Sequence, residues 1–461
     1  MEKFILYFLL ITIPVILILS ATIYHFSLQK SPYDFKEQLS VNTIMTKEEM
    51  EIDLNYLVNT LRDVHPKTVN GFNKEQIHII KKAYEKIQNP MSVGEFYFIL
   101  NEVISSLKDA HSMIWINTTK EDRIINLPMI WLEDGMYIKE DVNNLKKGDK
   151  IISIGGKTEN ELLIKLQKII PAENQQWVKV MGKINLVKEP FLNYLRLINN
   201  GYVDIVVQRN GQKIKTKLPL TKQPTYPNNN NYKMWVSYKI YPEKSLGIFR
   251  LDKCIYNEVY KSTLENFFKE VSKYNIKNIA IDVRKNTGGD SRVIDEFMKY
   301  IDIDKYLFYT GDIRFSRQAS KQRGYIRKKG YKSYPKRVII NKKIQDHDLI
   351  YNGKIYVLTS FYTFSSGNWF AVVIKDNKLG TIIGEPTGNQ PSSYGDILRF
   401  QLPISGFKFY VSHKKWVRPN ISNDPEDCLH PDIEVYTTIE DILNKKDPQI
   451  ERLIKIIDKK P

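Results

Sequence analysis

Ile279-Ala280-Ile281-Asp282-Val283-Arg284-Lys285-Asn286-Thr287-Gly288-Gly289-Asp290 and Ile355-Tyr356-Val357-Leu358-Thr359-Ser360-Phe361-Tyr362-Thr363-Phe364-Ser365-Ser366-Gly367 share one pattern. Each is a β-branched run that ends in a polar, small-residue turn and opens into an apolar-periodic helix. An α/β fold displays chemistry in this way, at the carboxyl ends of its strands. Gly288 and Gly289 permit a tight turn whose N–H groups face a developing anion. Ser365 stands where a strand meets a helix, so its hydroxyl is presented beside the helix N-terminus. The two segments offer an oxyanion donor and a nucleophile.

Working outward, strands and helices alternate from Leu246 onward: Leu246-Leu251, a helix through Leu264 and Phe268, Ile279-Val283, a helix from Val293, Ile355-Leu358 and a helix from Asn368. Such alternation implies βαβ units around a largely parallel sheet. Upstream, Thr46-Lys47-Glu48-Glu49 and Ser92 with Glu95 read as capping boxes, each followed by apolar residues at helical spacing, with a third helical stretch from Gln76 to Ile87 between them. The period changes to two from Leu127. Asp134-Gly135 and Asn210-Gly211 mark hairpins, and Leu145 to Lys157 reads as a turn, a strand and another turn. Pro224 to Asn231, rich in Pro and Asn, reads as a linker. The expected division is 1–30, a membrane or signal segment; 31–120, a helical domain; 121–223, a β-rich module; and 224–461, the α/β core.

A chain of 461 residues is too long for one ordinary core. With 42% hydrophobic and 26% charged residues it is globular rather than disordered. Phe4 to Phe26 is long and apolar enough to span a bilayer, which predicts a single-pass anchor with the bulk of the chain outside the cytoplasm. A signal peptide cleaved near Leu19-Ser20-Ala21 is the competing reading. The net charge of +17 suits anionic lipid or wall polymer, although lysine-rich composition alone accounts for it. Export argues against nucleic acid, and the basic run Arg314 to Arg337 reads as a solvated loop or lid. The two cysteines, Cys254 and Cys428, either pair or stay as free thiols. Neither has a Cys or His at ligand spacing except Cys428 with His430, so no metal and no cofactor are expected.

A serine near a helix start is most often an N-cap, and what raises Ser365 above that is the glycine turn on a neighbouring predicted strand. Amide hydrolysis by serine needs a base beside the hydroxyl and N–H donors for the oxyanion. Ser365 is the candidate nucleophile, with the N–H groups of Ser366 and Gly288 as donors.

Asp109-Ala110-His111-Ser112, Asp282-Val283-Arg284-Lys285-Asn286-Thr287-Gly288-Gly289, Thr363-Phe364-Ser365-Ser366, Gly384-Glu385-Pro386-Thr387 and His430-Pro431-Asp432-Ile433-Glu434-Val435 occur in this order. Together they resemble the landmarks of the C-terminal processing (tail-specific) serine peptidase family, nearer its tricorn-core-like branch than its Ser/Lys branch. The resemblance runs from about Thr46 to the end. It implies a crotonase/ClpP-like α/β peptidase core with a helical N-terminal domain and a PDZ-like β-rich module. Leu145 to Lys157 resembles the ligand-proximal turn of that module, which implies substrate binding by backbone N–H groups around Leu145, Gly148 and Asp149. Where the Ser/Lys branch has its lysine, this chain has Gly388-Asn389-Gln390, and Gln390 accepts no proton. The resemblance therefore implies His111 as base. It also implies an orienting acid just before Pro431-Asp432, with Glu426 nearest and Asp424 or Asp427 as alternatives, while His413 and His430 are substitutes for His111.

The resulting expectation is a membrane-anchored, extracytoplasmic serine endopeptidase acting on exported or unfolded proteins through an acyl-enzyme. The alternative is a catalytically inactive relative that binds peptides through the PDZ-like module.

Overall fold

The computed structural model describes residues 35–117, 123–222 and 234–458. The apolar stretch Phe4 to Phe26 and the expected linker Pro224 to Asn231 lie outside these residues. Among the described residues no helix is long and apolar enough to cross a membrane.

The centre of the molecule is a sheet in the order Val236–Tyr241, Leu246–Leu251, Asn278–Asp282, Lys354–Thr359, Gly380–Gly384 and Ile433–Glu434. The first pair is antiparallel and every later pair is parallel. Because side chains alternate along a strand, Ile279 and Ile281 face one core with Phe249, Val357 and the helices Glu258–Lys273 and Ser366–Asp376. Ala280 points the other way, to a smaller cluster with Ile248, Leu358 and Leu453 of the helix Pro448–Asp458. Burial on both faces explains the near-continuous apolar runs in the sequence. The result is the mixed α/β arrangement expected from the alternation.

Both expected capping boxes are present, on the helices Lys47–Val64 and Val93–Ser105. The hairpin Met129–Leu132 to Gly135–Ile138 also forms. These helices and the β-rich module share one hydrophobic cluster, which runs from Met45 through Leu218 and takes in Leu398, Phe407 and Val411. The boundary expected at residue 120 is therefore not a break in packing. A second sheet joins the chain's two halves: Met113–Trp115 pairs antiparallel with Lys408–Val417, which also pairs with Thr310–Phe315 and Ser393–Gln401.

One expectation is corrected, and one alternative left open by the sequence is resolved. The basic run from Arg314 is not a solvated loop but the end of a strand, the helix Arg317–Arg323 and the strand Gly330–Ser333. Tyr331 donates to Asp312 and Arg323 pairs with Asp396, while Lys321, Lys328, Lys329, Lys332 and Lys336 remain exposed on this ordered segment. Cys254 and Cys428 are both buried and both free, so they do not pair.

Asp53, fully buried on the helix Lys47–Val64, accepts the backbone N–H groups of Ile404 and Ser405 at 2.8 Å each. It thereby fastens the N-terminal helix to a turn near the far end of the chain. Asp53→Ala leaves those two donors without their acceptor and is expected to lower stability by about 3 kcal/mol, read as a fall in the urea midpoint at unchanged m-value.

Candidate active site

The two segments that open the sequence reading converge. Ser365 has φ 53° and ψ −128°, a conformation that L-residues rarely adopt, and its hydroxyl makes no capping bond to the helix it precedes. That hydroxyl instead lies 3.1 Å from Nε2 of His111. The strained turn is held by the neighbouring glycine loop: Phe364 N–H donates to Asn286 O, Thr363 Oγ1 to Val283 O and Ser360 Oγ to Arg284 O. A methyl group on Gly288 would stand 2.6 Å from Ser365 Cβ, and one on Gly289 would stand 2.2 Å from Cys254 O. Both glycines also have positive φ, so close approach and conformation independently require them.

His111 reaches Ser365 from the opposite half of the chain. Its loop is fixed by Ser112, whose hydroxyl donates to Asp109 and accepts from Ser412 N–H, just before the chain enters the strand Met113–Trp115. The imidazole packs on Phe364 with centroids 4.7 Å apart, and Phe364 is stacked in turn on Trp177 at 4.0 Å. An apolar wall of Ala110, Trp177, Val180, Phe361 and Phe364 surrounds the pair.

Of the expected oxyanion donors, Ser366 opens the helix Ser366–Asp376, where a backbone N–H has no intrahelical acceptor and the helix dipole favours negative charge. Gly288 lies beside Ser365, but its N–H is taken by Asn286 Oδ1 at 2.8 Å.

Glu426 is not beside His111. It pairs with Arg418, a fully buried guanidinium that also binds Asp376 at 2.7 Å and lies 3.6 Å from Asp424. A buried cation must be matched by carboxylates, and this requirement claims both residues. His413 is buried between the Asp396 carbonyl and the Tyr325 hydroxyl, away from the nucleophile. Asp427 and His430 lie together with Cys428.

The expected peptide-binding turn is closed. Leu145 N–H donates to Val142 O, Lys146 N–H to Asp149 Oδ2, Lys147 N–H to Asp141 Oδ1, Gly148 N–H to Ile138 O and Asp149 N–H to Lys146 O. Every donor that was to hold a carboxylate is satisfied internally. The turn is also covered: Gly148 abuts Leu443, and Lys147 Nζ reaches Ile442 O on the helix Ile439–Leu443.

The acid that sequence reasoning missed is Glu173. One donor atom from each of Asp109, His111 and Glu173 lies within 4.8 Å of the other two. Asp109 Oδ2 is spent on His65 and Ser112, Oδ1 accepts His111 N–H, and Oδ1 stands 3.8 Å from His111 Nδ1, beyond hydrogen-bonding reach. Glu173 Oε1 accepts from Ala110 N–H and from Asn389 Nδ2. Its Oε2 and the Nδ1 of His111 are buried with no hydrogen-bond partner among the described residues. Asn389 closes a ring, because its Oδ1 accepts the Ser365 N–H at 3.1 Å.

Burial opposes the charge of Asp109, but His65, His111 and Ser112 outweigh it and hold that carboxyl well below its usual range. Burial, reinforced by the charge of Asp109, pushes Glu173 up to about 8. Burial lowers the His111 pKa, with Asp109 opposing. His111 is therefore a neutral base at neutral pH, aimed at a serine hydroxyl. No sequence motif marks Glu173, and only its tertiary placement identifies it.

Residues 245–435 match the model of peptidase family S41. The tricorn-like protease C-terminal subunit of Sulfurisphaera tokodaii is 27% identical over 280 residues, which is 59% of this chain and 28% of that protein. The chain thus spans a little over a quarter of the length of that relative. Two structures of mature CPAF, one of them complexed with lactacystin, superpose with a TM-score of 0.66 at 15% identity. Each comparison covers 89% of this chain, and 98% of CPAF in the lactacystin complex or 96% in the other. This likeness shows a shared mixed α/β fold across nearly the whole chain.

Gly288→Ala forces its new methyl against Ser365 Cβ and the N–H of Ser366. The expected outcome is a loss of about a hundredfold or more in the rate at which a fluorophosphonate labels Ser365, measured by mass spectrometry.

Proposed function

This chain is a relative of peptidase family S41 through its core, and from that premise we propose that it is a serine endopeptidase acting on exported or unfolded proteins through an acyl-enzyme on Ser365. The observation that carries the reading is the 3.1 Å contact between His111 Nε2 and a serine hydroxyl held at φ 53°. His111 Nε2 takes the hydroxyl proton as Ser365 Oγ bonds to the scissile carbonyl carbon. The carbonyl oxygen becomes an oxyanion at Ser366 N–H. Gly288 contributes its N–H by exchanging its bond to Asn286 Oδ1. His111 then passes the proton to the departing amine as the C–N bond breaks, and water, activated by the same imidazole, hydrolyses the ester.

Glu173 is the positioning residue for His111 in this scheme. Its Oε2 and the His111 Nδ1 are both unpartnered among the described residues, and their closing on each other would let the carboxylate accept the Nδ1–H and fix the tautomer that leaves Nε2 free to accept. The same carboxylate stabilises the imidazolium that forms in the transition state. Asp109, already committed to His65 and Ser112, adds negative charge without competing for that proton.

Single substitutions Ser365→Ala and His111→Ala are expected to abolish cleavage of an unfolded protein substrate while leaving circular dichroism unchanged. Glu173→Gln is expected to lower kcat by about a hundredfold with little change in KM. The sign of the pH dependence follows from the shifts. A lowered His111 pKa keeps the base deprotonated as pH falls past its usual value of about 6.5. A carboxyl raised to about 8 ionises only above neutrality. Wild-type kcat should therefore climb again through about pH 8, and Glu173→Gln should lack that second rise.

The apolar stretch Phe4 to Phe26 supports membrane attachment with the catalytic part outside the cytoplasm. A chain beginning at Ser31 is expected to leave the membrane fraction in carbonate extraction, whereas the full chain stays in it.

A further inference from the structure

Away from the catalytic pair, the loop Asp427-Cys428-Leu429-His430 gathers three side chains of different chemistry. Cys428 Sγ lies 3.4 Å from His430 Nε2 and 3.5 Å from Asp427 Oδ1, and these last two atoms are 3.7 Å apart. A zinc-class ion holds sulfur at about 2.3 Å, imidazole nitrogen at about 2.0–2.1 Å and carboxylate oxygen at about 2.0–2.2 Å. Three ligands at those distances on a tetrahedron stand about 3.4–3.6 Å from one another. Two edges of the triangle in this loop, 3.4 and 3.5 Å, fall in that range before any ion enters, and the third, 3.7 Å, is slightly longer.

The surroundings also suit a metal. Across the imidazole, a carboxylate stands near the other ring nitrogen, with Glu434 Oε1 3.7 Å from His430 Nδ1. The sulfur sits on a buried residue, while His430 and Asp427 are about half or more exposed, which provides an entry path and leaves a fourth position for water.

We propose that Asp427, Cys428 and His430 form a binding site for a single zinc-class divalent cation. The ion binds the cysteine sulfur as the thiol proton leaves to solvent, so one proton is released per ion. Affinity therefore rises with pH.

The loop is tied to the nucleophile by hydrogen bonds. Asp427 O accepts from Asn174 Nδ2, and Leu429 N–H donates to Thr387 Oγ1. That hydroxyl donates to Asn389 O, and Asn389 in turn holds the Ser365 N–H. An ion at Cys428 thus braces the backbone from which Asn389 is presented.

The test is a titration of the full chain with Co²⁺, read as near-ultraviolet thiolate-to-metal charge transfer and as visible bands of tetrahedral intensity, followed by displacement with Zn²⁺. One equivalent of Co²⁺ should produce both signals and Zn²⁺ should bleach them. Cys428→Ser should lose the charge-transfer band. His430→Ala removes an exposed side chain that the fold does not need, and it should weaken binding at least about tenfold. His111→Ala should bind as wild type does, which separates this site from the Asp109, His111 and Glu173 cluster. A missing thiolate band, a band that survives Cys428→Ser, or full affinity in His430→Ala would overturn the proposal.

Discussion

Three backbone pairs between Met113–Trp115 and Lys408–Tyr410 carry the rest of the structure's chemistry. His111 lies just before the first of these strands, and the second belongs to the sheet that abuts the largely parallel sheet of the core. Strand pairing fixes position to within a fraction of an ångström along a ladder. Once the ladder forms, Ser412 N–H meets Ser112 Oγ and the His111 loop has one place to go. A proton transfer needs donor and acceptor at hydrogen-bond distance, and here that distance is set by main-chain bonds rather than by flexible side chains.

Around the imidazole the charges are divided rather than pooled. Two carboxyl groups lie near one histidine, and like charges at that separation resist being ionised together. The structure eases the conflict by hydrogen-bonding Asp109 to His65 and Ser112, so that its charge is held in place. Glu173, whose fixed partners are Ala110 N–H and Asn389 Nδ2, is left as the group whose protonation responds to the site. Catalytic acids and bases are commonly separated in this way, by environments that push two chemically similar groups apart. The cost is a buried carboxyl beside another negative charge, and the bonds from Ala110 and Asn389 offset it.

The strand-turn-helix signatures were legible because each is local. Asn286, the glycines and Ser365 lie within short stretches whose apolar periodicity announces a sheet and a helix. His111 was legible only through its family landmark, since a lone histidine carries no periodic signal. Glu173 had no such marker: Pro171-Ala172-Glu173-Asn174 reads as an ordinary polar turn before a helix, and its role depends on Asn389, far away in sequence. Glu426 was misread for a related reason. Its nearness to Pro431-Asp432 was visible, but the fully buried Arg418 that claims it was not, because burial of an arginine is a tertiary fact. The closed turn at Leu145 to Asp149 shows the same limit, since a sequence shows which N–H groups exist and not which acceptors already hold them.

The ladder that brings His111 to Ser365 also sets an order of events during synthesis. His111 and Ser365 are 254 residues apart, and the Ser112 to Ser412 bond closes a span of 300. Chains fold from the amino end as they emerge, so the imidazole is made long before the hydroxyl, and both precede the strand Lys408–Val417 that aligns them. A ribosome-bound chain therefore carries every catalytic residue without a working site. Contacts of such long range form late and slowly, and under the activity proposed above that delay would protect the nascent chain from itself and from its neighbours.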